Sequence, residues 1–169
     1  PANWSLGLAV TPSPRWVLTF DYQRIEFGGV RANANGVMNT LLDPLGSPLG
    51  SRRGSGFNWG DQDNFRVGVE FALRSSLRLR AGYAYGDRPQ RDASIDSVTL
   101  NMMAPTAVHQ ASVGLSWQPR ARHELNLAYS RFIAPAFDGP SATRLLGVGG
   151  TERVHAHVNT AMLAWSWKR

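Results

Sequence analysis

The 169-residue sequence has no cysteine. That excludes a disulfide framework and thiolate metal sites, and leaves the compartment open. No apolar run approaches the roughly 18 residues of a membrane-spanning helix. No Gly-x-Ser-x-Gly elbow is present. Ser112, Ser116 and Ser130 fall on the polar side of their segments, and His109 does not share a strand face with Ser112. A hydrolase needs a nucleophile beside a base and an orienting group, so no enzyme is expected. No motif of nucleic-acid readout accompanies the basic balance, a net charge of +6 with a pI near 10.7. The excess is read as solvated loops and turns, and no nucleic-acid partner is expected. The chain begins at Pro1 without a methionine or signal peptide, which is read as a mature form or a fragment. Mean hydropathy is −0.26. That fits a soluble protein, and equally a β-barrel whose strands are apolar on one face only.

What is there is alternation. In residues 65–73, Phe65, Val67, Val69, Phe71 and Leu73 alternate with Arg66, Gly68, Glu70 and Ala72. After Arg74-Ser75-Ser76 the pattern resumes as Leu77, Leu79, Ala81, Tyr83 and Tyr85, against Arg78, Arg80, Gly82 and Ala84. Period-two patterning marks a strand with one apolar face, and two such runs around a short break read as an antiparallel hairpin. Runs of about 9–11 residues can cross a bilayer as tilted strands. The same pattern recurs at 3–11, 16–23, 109–117, 125–130 and 152–167, giving seven strands.

The connections alternate too. Short ones fall at 12–15, 74–76 and 118–122, and long ones near 28–64, 87–107 and 133–151. Tight turns at one end and long loops at the other are the pattern of a transmembrane barrel. The second long connection carries Pro89, Asp92, Ser94, Asp96 and Pro105. In the first, Val37, Met38, Leu41 and Leu42 have helical spacing. They read as either a short helix over a mouth or an unstructured loop with stray apolar residues. Aromatics collect at two levels. Trp16, Phe71, Trp117, Trp165 and Trp167 fall near the short turns. Trp4, Tyr22, Phe65, Tyr83, Tyr85 and Tyr129 fall near the long loops. Two aromatic rings bracketing an aliphatic band are the girdles of an outer-membrane barrel. Bacterial single-chain barrels have an even strand number, and an open edge in lipid leaves backbone groups unpaired. Residues 1–169 are therefore read as part of a larger barrel, closed by a missing N-terminal half or by a second copy.

Several stretches resemble the outer-membrane long-chain fatty-acid and hydrocarbon transporters of the FadL/TodX type. They are GFNWGDQDNFRVGVEF at 56–71, LRLRAGYAYGDRP at 77–89, GLSWQPRARHELNLAYS at 114–130, and FDYQRIEF at 20–27. The resemblance implies a fourteen-stranded barrel plugged by an N-terminal hatch, of which this chain would be the C-terminal seven strands. It implies residence in the bacterial outer membrane, contact with lipid and lipopolysaccharide, and passive passage of a hydrophobic ligand such as a fatty acid or detergent. No cofactor is implied. The chain departs from the pattern in lacking the hatch and earlier strands, and in ending Trp167-Lys168-Arg169. A general diffusion porin or a structural outer-membrane barrel is the alternative.

Arg66, Glu70, Arg78 and Arg80 are expected to face the lumen from adjacent strands. They would form either a basic cluster that holds a carboxylate bidentately or an ion-pair ladder that fills the bore. The glycine- and alanine-rich inner face (Gly7, Ala9, Gly68, Ala72, Gly82, Ala84, Gly114, Ala128) leaves room for apolar contacts. His155 and His157 could place two imidazoles on one face, but no third ligand is evident and no metal site is expected. His109 and His123 read as interfacial.

Overall fold

The computed structural model describes residues 1–91, 108–141, 143–144 and 147–167. Seven strands make one antiparallel sheet: β1 (Ala2–Ser13), β2 (Trp16–Glu26), β3 (Gln62–Arg74), β4 (Leu77–Gly86), β5 (His109–Arg120), β6 (His123–Pro140) and β7 (Thr151–Trp167). Each strand bonds only to its sequence neighbours, and β1 and β7 are the two edges of an open sheet.

The register follows from the alternation. Trp16, Phe71, Leu79, Leu115, Leu127 and Leu163 lie side by side across β2 to β7. The next row on that face is Leu18, Val69, Ala81, Val113, Tyr129 and Ala161. A slip of one residue would carry such a row to the opposite face. No second layer of structure covers it among the described residues. Leu163 is 70% exposed and Val113 57%, while among the described residues only Val108 and Ala134 are buried hydrophobics. A sheet in water buries its apolar face under another element, and an uncovered apolar surface of this extent marks contact with something else. Strands of 10 residues (β4) to 18 residues (β6) are long enough to cross a bilayer. No described helix is long and apolar enough to do so.

The short turns are tighter than the sequence reading, reduced to 14–15, 75–76 and 121–122. A register shift sits beside each, at Val10/Ser13, Ala72/Arg74 and Trp117/Arg120. Pro12 falls inside the first of these, where the ladder is already interrupted and its missing N–H costs nothing. The third long connection also shrinks. The sequence reading begins it at Ile133, but β6 runs on to Pro140 and pairs with β7 up to Thr151, leaving 141–150. A bulge between Ala134 and Phe137 accommodates Pro135 and resets the alternation. That is why proline and glycine there resemble a loop. Arg153 grips Asp138 through two hydrogen bonds of 2.7 and 2.9 Å across this extension.

The first long connection, 27–61, is compact. It holds a 3-10 turn (Phe27–Gly29) and two one-turn helices, α1 (Arg31–Ala34) and α2 (Asn39–Leu42). The Asn33 carbonyl accepts from the backbone N–H groups of Phe57 and Trp59, at 3.1 and 2.8 Å. Ser55 and Thr40 exchange backbone-to-hydroxyl bonds of 3.0 Å each. A Cβ on Gly56 would meet the carbonyl oxygens of Arg31, Ala32 and Asn35 at 2.8–2.9 Å, so only glycine fits. α2 takes in Leu41 and Leu42 of the helical spacing, with Val37 and Met38 in the turn before it, and Leu41 and Leu42 stay 70% and 74% exposed. Of the second connection, Asp92, Ser94, Asp96 and Pro105 lie outside the described residues, as do Lys168 and Arg169.

With no native thiol to interfere, single-cysteine spin labels test the two faces directly. Labels at Val113 and Leu127 of the membrane-inserted protein should relax with lipid-soluble oxygen and escape aqueous nickel chelate. Labels at Ser112 and Ala128 should do the reverse, and a pattern without this alternation would rule out the lipid-facing assignment.

Candidate functional site

The face opposite the aliphatic rows carries the chemistry. Of the four charged residues singled out from sequence, the structure brings three together. Glu70 lies directly across from Arg80 and accepts from its Nε at 2.7 Å, while Arg78 approaches the same carboxylate at 3.8 Å. Arg80 also donates to Ser116 Oγ at 2.7 Å, and the Ser116 hydroxyl bonds Asn126. Asn126 in turn donates to Glu124 at 3.2 Å. Ser116 is buried beneath this line. The result is a polar chain across β3, β4, β5 and β6 near the short turns, with a cavity of about 120 Å³ beside it lined by Ser76, Arg78, Gln118 and Glu124. Arg80 is fully engaged, and Arg78 is the looser of the pair.

Arg66 stands apart. It is four residues from Glu70 on the same strand, about 13 Å along the sheet. Asp21 is its cross-strand neighbour, but the Asp21 carboxylate leans over Gly7, where a Cβ would sit 2.7 Å from its Oδ1. Arg66 donates instead to the neutral Gln23 Oε1 at 2.9 Å and makes no ion pair among the described residues. It borders a cavity of about 180 Å³ with Gln110, Val108 and Phe132. Arg66 is thus a cation beside a partly apolar hollow, with its charge uncompensated by a described carboxylate.

The loop end has one tie that sequence reading missed. Arg88 reaches over β5 to the β6 bulge. Its Nη2 donates to the Pro135 carbonyl and, at 3.2 Å, to that of Ala136. Its guanidinium lies 5.1 Å from the Phe137 ring centre. Partial burial lowers its pKa from the usual arginine value. Below Arg88, segments 57–61 and 87–91 join through a Trp59–Gln90 bridge and the Gly60 N–H to Pro89 carbonyl bond of 2.6 Å. Phe27 and Phe57 pack on Trp59 at 5.0 and 5.1 Å.

The aromatic residues form two levels on the aliphatic face. Trp16 meets Phe71 at 4.4 Å at the short-turn end, where Trp165 and Trp167 flank His123. At the other end Tyr22 touches Trp4 and Phe65 at 5.2 and 5.0 Å. There Tyr83 and Tyr85 flank His109, whereas Tyr129, expected at this level, stands nearer mid-strand opposite Val113 and Ala161 and reaches toward the loops by donating its hydroxyl to Asn159. Trp117 stands at the short-turn level opposite Leu77 and Leu125. Among the described residues no cluster of three His, Cys, Asp or Glu could hold a metal ion.

The fold is similar to solved transporters. It matches the toluene transporter TodX of Pseudomonas putida at 18% identity and a TM-score of 0.59, over 99% of this chain and 34% of that one. It matches the toluene transporter TbuX of Ralstonia pickettii at 17% identity and 0.57, over 100% of this chain and 34% of that one. A FadL homologue of Pseudomonas aeruginosa matches at 16% identity and 0.56, over 96% and 34%. The chain spans about a third of the length of these structures, and its open sheet fits a half barrel of the FadL/TodX type. No family model and no curated protein matches the sequence.

Replacing Arg88 by methionine should remove two charge-assisted bonds and cost about 1.5–3 kcal/mol. Hydrogen exchange should quicken at 134–137 and 154–157 while β1 to β3 keep their protection. Unchanged protection at the bulge would show that Arg88 does not hold it.

Proposed function

We propose that this chain is part of a bacterial outer-membrane β-barrel that lets hydrophobic small molecules cross the membrane by binding and passive diffusion. The observation that carries this reading is a single-layer sheet, apolar outside and polar inside, folded like part of the hydrocarbon transporters above. In this reading the two aromatic levels are the membrane girdles and the long connections face outward. Lipid and lipopolysaccharide contact the aliphatic face. An N-terminal half or a second copy satisfies the edges of β1 and β7, because unpaired backbone in hydrocarbon costs several kcal/mol per group.

The finer reading is a long-chain fatty acid as cargo. Arg66 supports it, as a guanidinium beside a hollow lined by Val108 and Phe132, suited to a carboxylate followed by an alkyl chain. Glu70, Arg78 and Arg80 form the ion-pair ladder in this reading, with Arg78 available as a second, weaker contact. The polar chain they begin fills the bore near the short turns and opposes steady ion flow.

The Arg66→Ala variant of the intact protein should bind a long-chain fatty acid about ten- to a hundredfold more weakly, the loss of one charge-assisted contact of about 1.5–3 kcal/mol. Toluene uptake should be unchanged. An Arg78→Ala/Arg80→Ala double variant should lose less fatty-acid affinity than Arg66→Ala. Equal fatty-acid binding by all three proteins would remove the carboxylate anchor. A large, steady conductance in planar bilayers would replace the transporter with a diffusion porin.

A further inference from the structure

A groove on the aliphatic face has features that generic lipid contact does not require. At the short-turn end, Trp117, Leu125 and Trp165 stand in one register row across β5, β6 and β7. Together with Pro119, Arg120, His123 and Glu124 they line a groove of about 430 Å³, and the Glu124 carboxylate accepts a hydrogen bond from Asn126. Its wall is fixed. Trp165 Nε1 donates to His123 Nδ1 at 3.3 Å, and the His123 ring lies parallel to Trp167, 6° apart in plane with centres 6.3 Å apart. A second groove of about 410 Å³ continues it toward the middle of the strands, lined by Leu115, Leu127, Leu163 and Ala161. The next rows on the same face supply it, so the two grooves abut. Ala161 lies directly across from Tyr129 there, and this second groove is shallow and open.

Charge is disposed unevenly along this channel. Its inner part is lined by aliphatic side chains with Tyr129 at the far end. Its mouth carries Arg120, paired with His123 in the ladder. The Arg120 side chain makes no ion pair or hydrogen bond among the described residues, and lies at the same level as the tryptophans. A cation and aromatic rings at one end, followed by a hydrocarbon-lined trough, complement an amphiphile with an anionic head and an acyl tail. The short-turn end of such a barrel faces the periplasm. The amphiphile at that level is a glycerophospholipid of the inner leaflet.

We infer that Arg120, His123, Trp117 and Trp165 form a phospholipid site, with the lipid phosphate on Arg120 and one acyl chain in the trough over Leu125, Leu127 and Leu163. The site rests on the membrane reading above and is separate from the lumen. The ladder and Arg66 lie on the other face of the sheet.

Two measurements on the intact protein test it. In the first, tryptophan fluorescence is quenched by brominated-chain phosphatidylglycerol or by brominated diacylglycerol, which lacks the phosphate. The phosphatidylglycerol should quench at a several-fold lower mole fraction, and the difference should vanish in Arg120→Gln. In the second, native mass spectrometry after mild detergent extraction should find a retained phospholipid in the wild type. At least tenfold less should remain in an Arg120→Gln/Trp165→Leu variant whose toluene uptake is normal. Equal quenching by the two lipids, or equal retention by variant and wild type, would overturn the site and leave the transport reading standing. Failure of the protein to float with liposomes would overturn both.

Discussion

A peptide group inside a bilayer has no water to bond, so every N–H and C=O at that depth must find a partner in the chain. In the membrane reading the sheet meets that demand through its six ladders and leaves only the outer edges of β1 and β7 to be paired. Each interior strand is paired on both sides, and the ladders run unbroken through the middle of every pair. All of its irregularities lie toward the ends. Three bulges adjoin the short turns, and a fourth lies at Ala134/Phe137 in the upper part of β6. Once the backbone is settled in this way, side chains are free to sort by face. The aliphatic rows and the polar chain through Glu70, Arg80, Ser116 and Asn126 then sit on opposite sides of one layer of peptide.

This division explains why so much of the fold could be read from sequence. Alternation is a direct record of which face a side chain occupies, and all seven strands, their order and their outward rows follow from it. Register was less accessible. Glu70, Arg78 and Arg80 could be placed on one face of adjacent strands, but the direct pairing of Glu70 with Arg80 depends on the Ala72/Arg74 shift. The Ser116–Asn126 continuation required the offset introduced by the Trp117/Arg120 shift, and a bulge leaves no period-two trace. The same cause hid the upper part of β6, where Pro135 and Gly139 interrupt the pattern without ending the pairing.

The site was legible in its residue types and less so in its grouping. Arg66 and Glu70 share a face, but four residues of strand separate them, and Asp21 turns away over Gly7. One guanidinium is therefore left without a carboxylate partner, while Arg78 and Arg80 share Glu70. Arg88 was invisible for a different reason. A charged residue in a Gly-Asp-Arg-Pro turn looks solvated, and only the bulge in β6, two strands away, supplies the carbonyls that draw it in.

Strict nearest-neighbour pairing has a bearing on how such walls change size over generations. Because no strand crosses over another, a hairpin duplicated or deleted at either margin disturbs only the seam it joins. Circumference can thus grow by whole hairpins without rethreading the remainder, each new unit bringing its own greasy and wet sides already in phase.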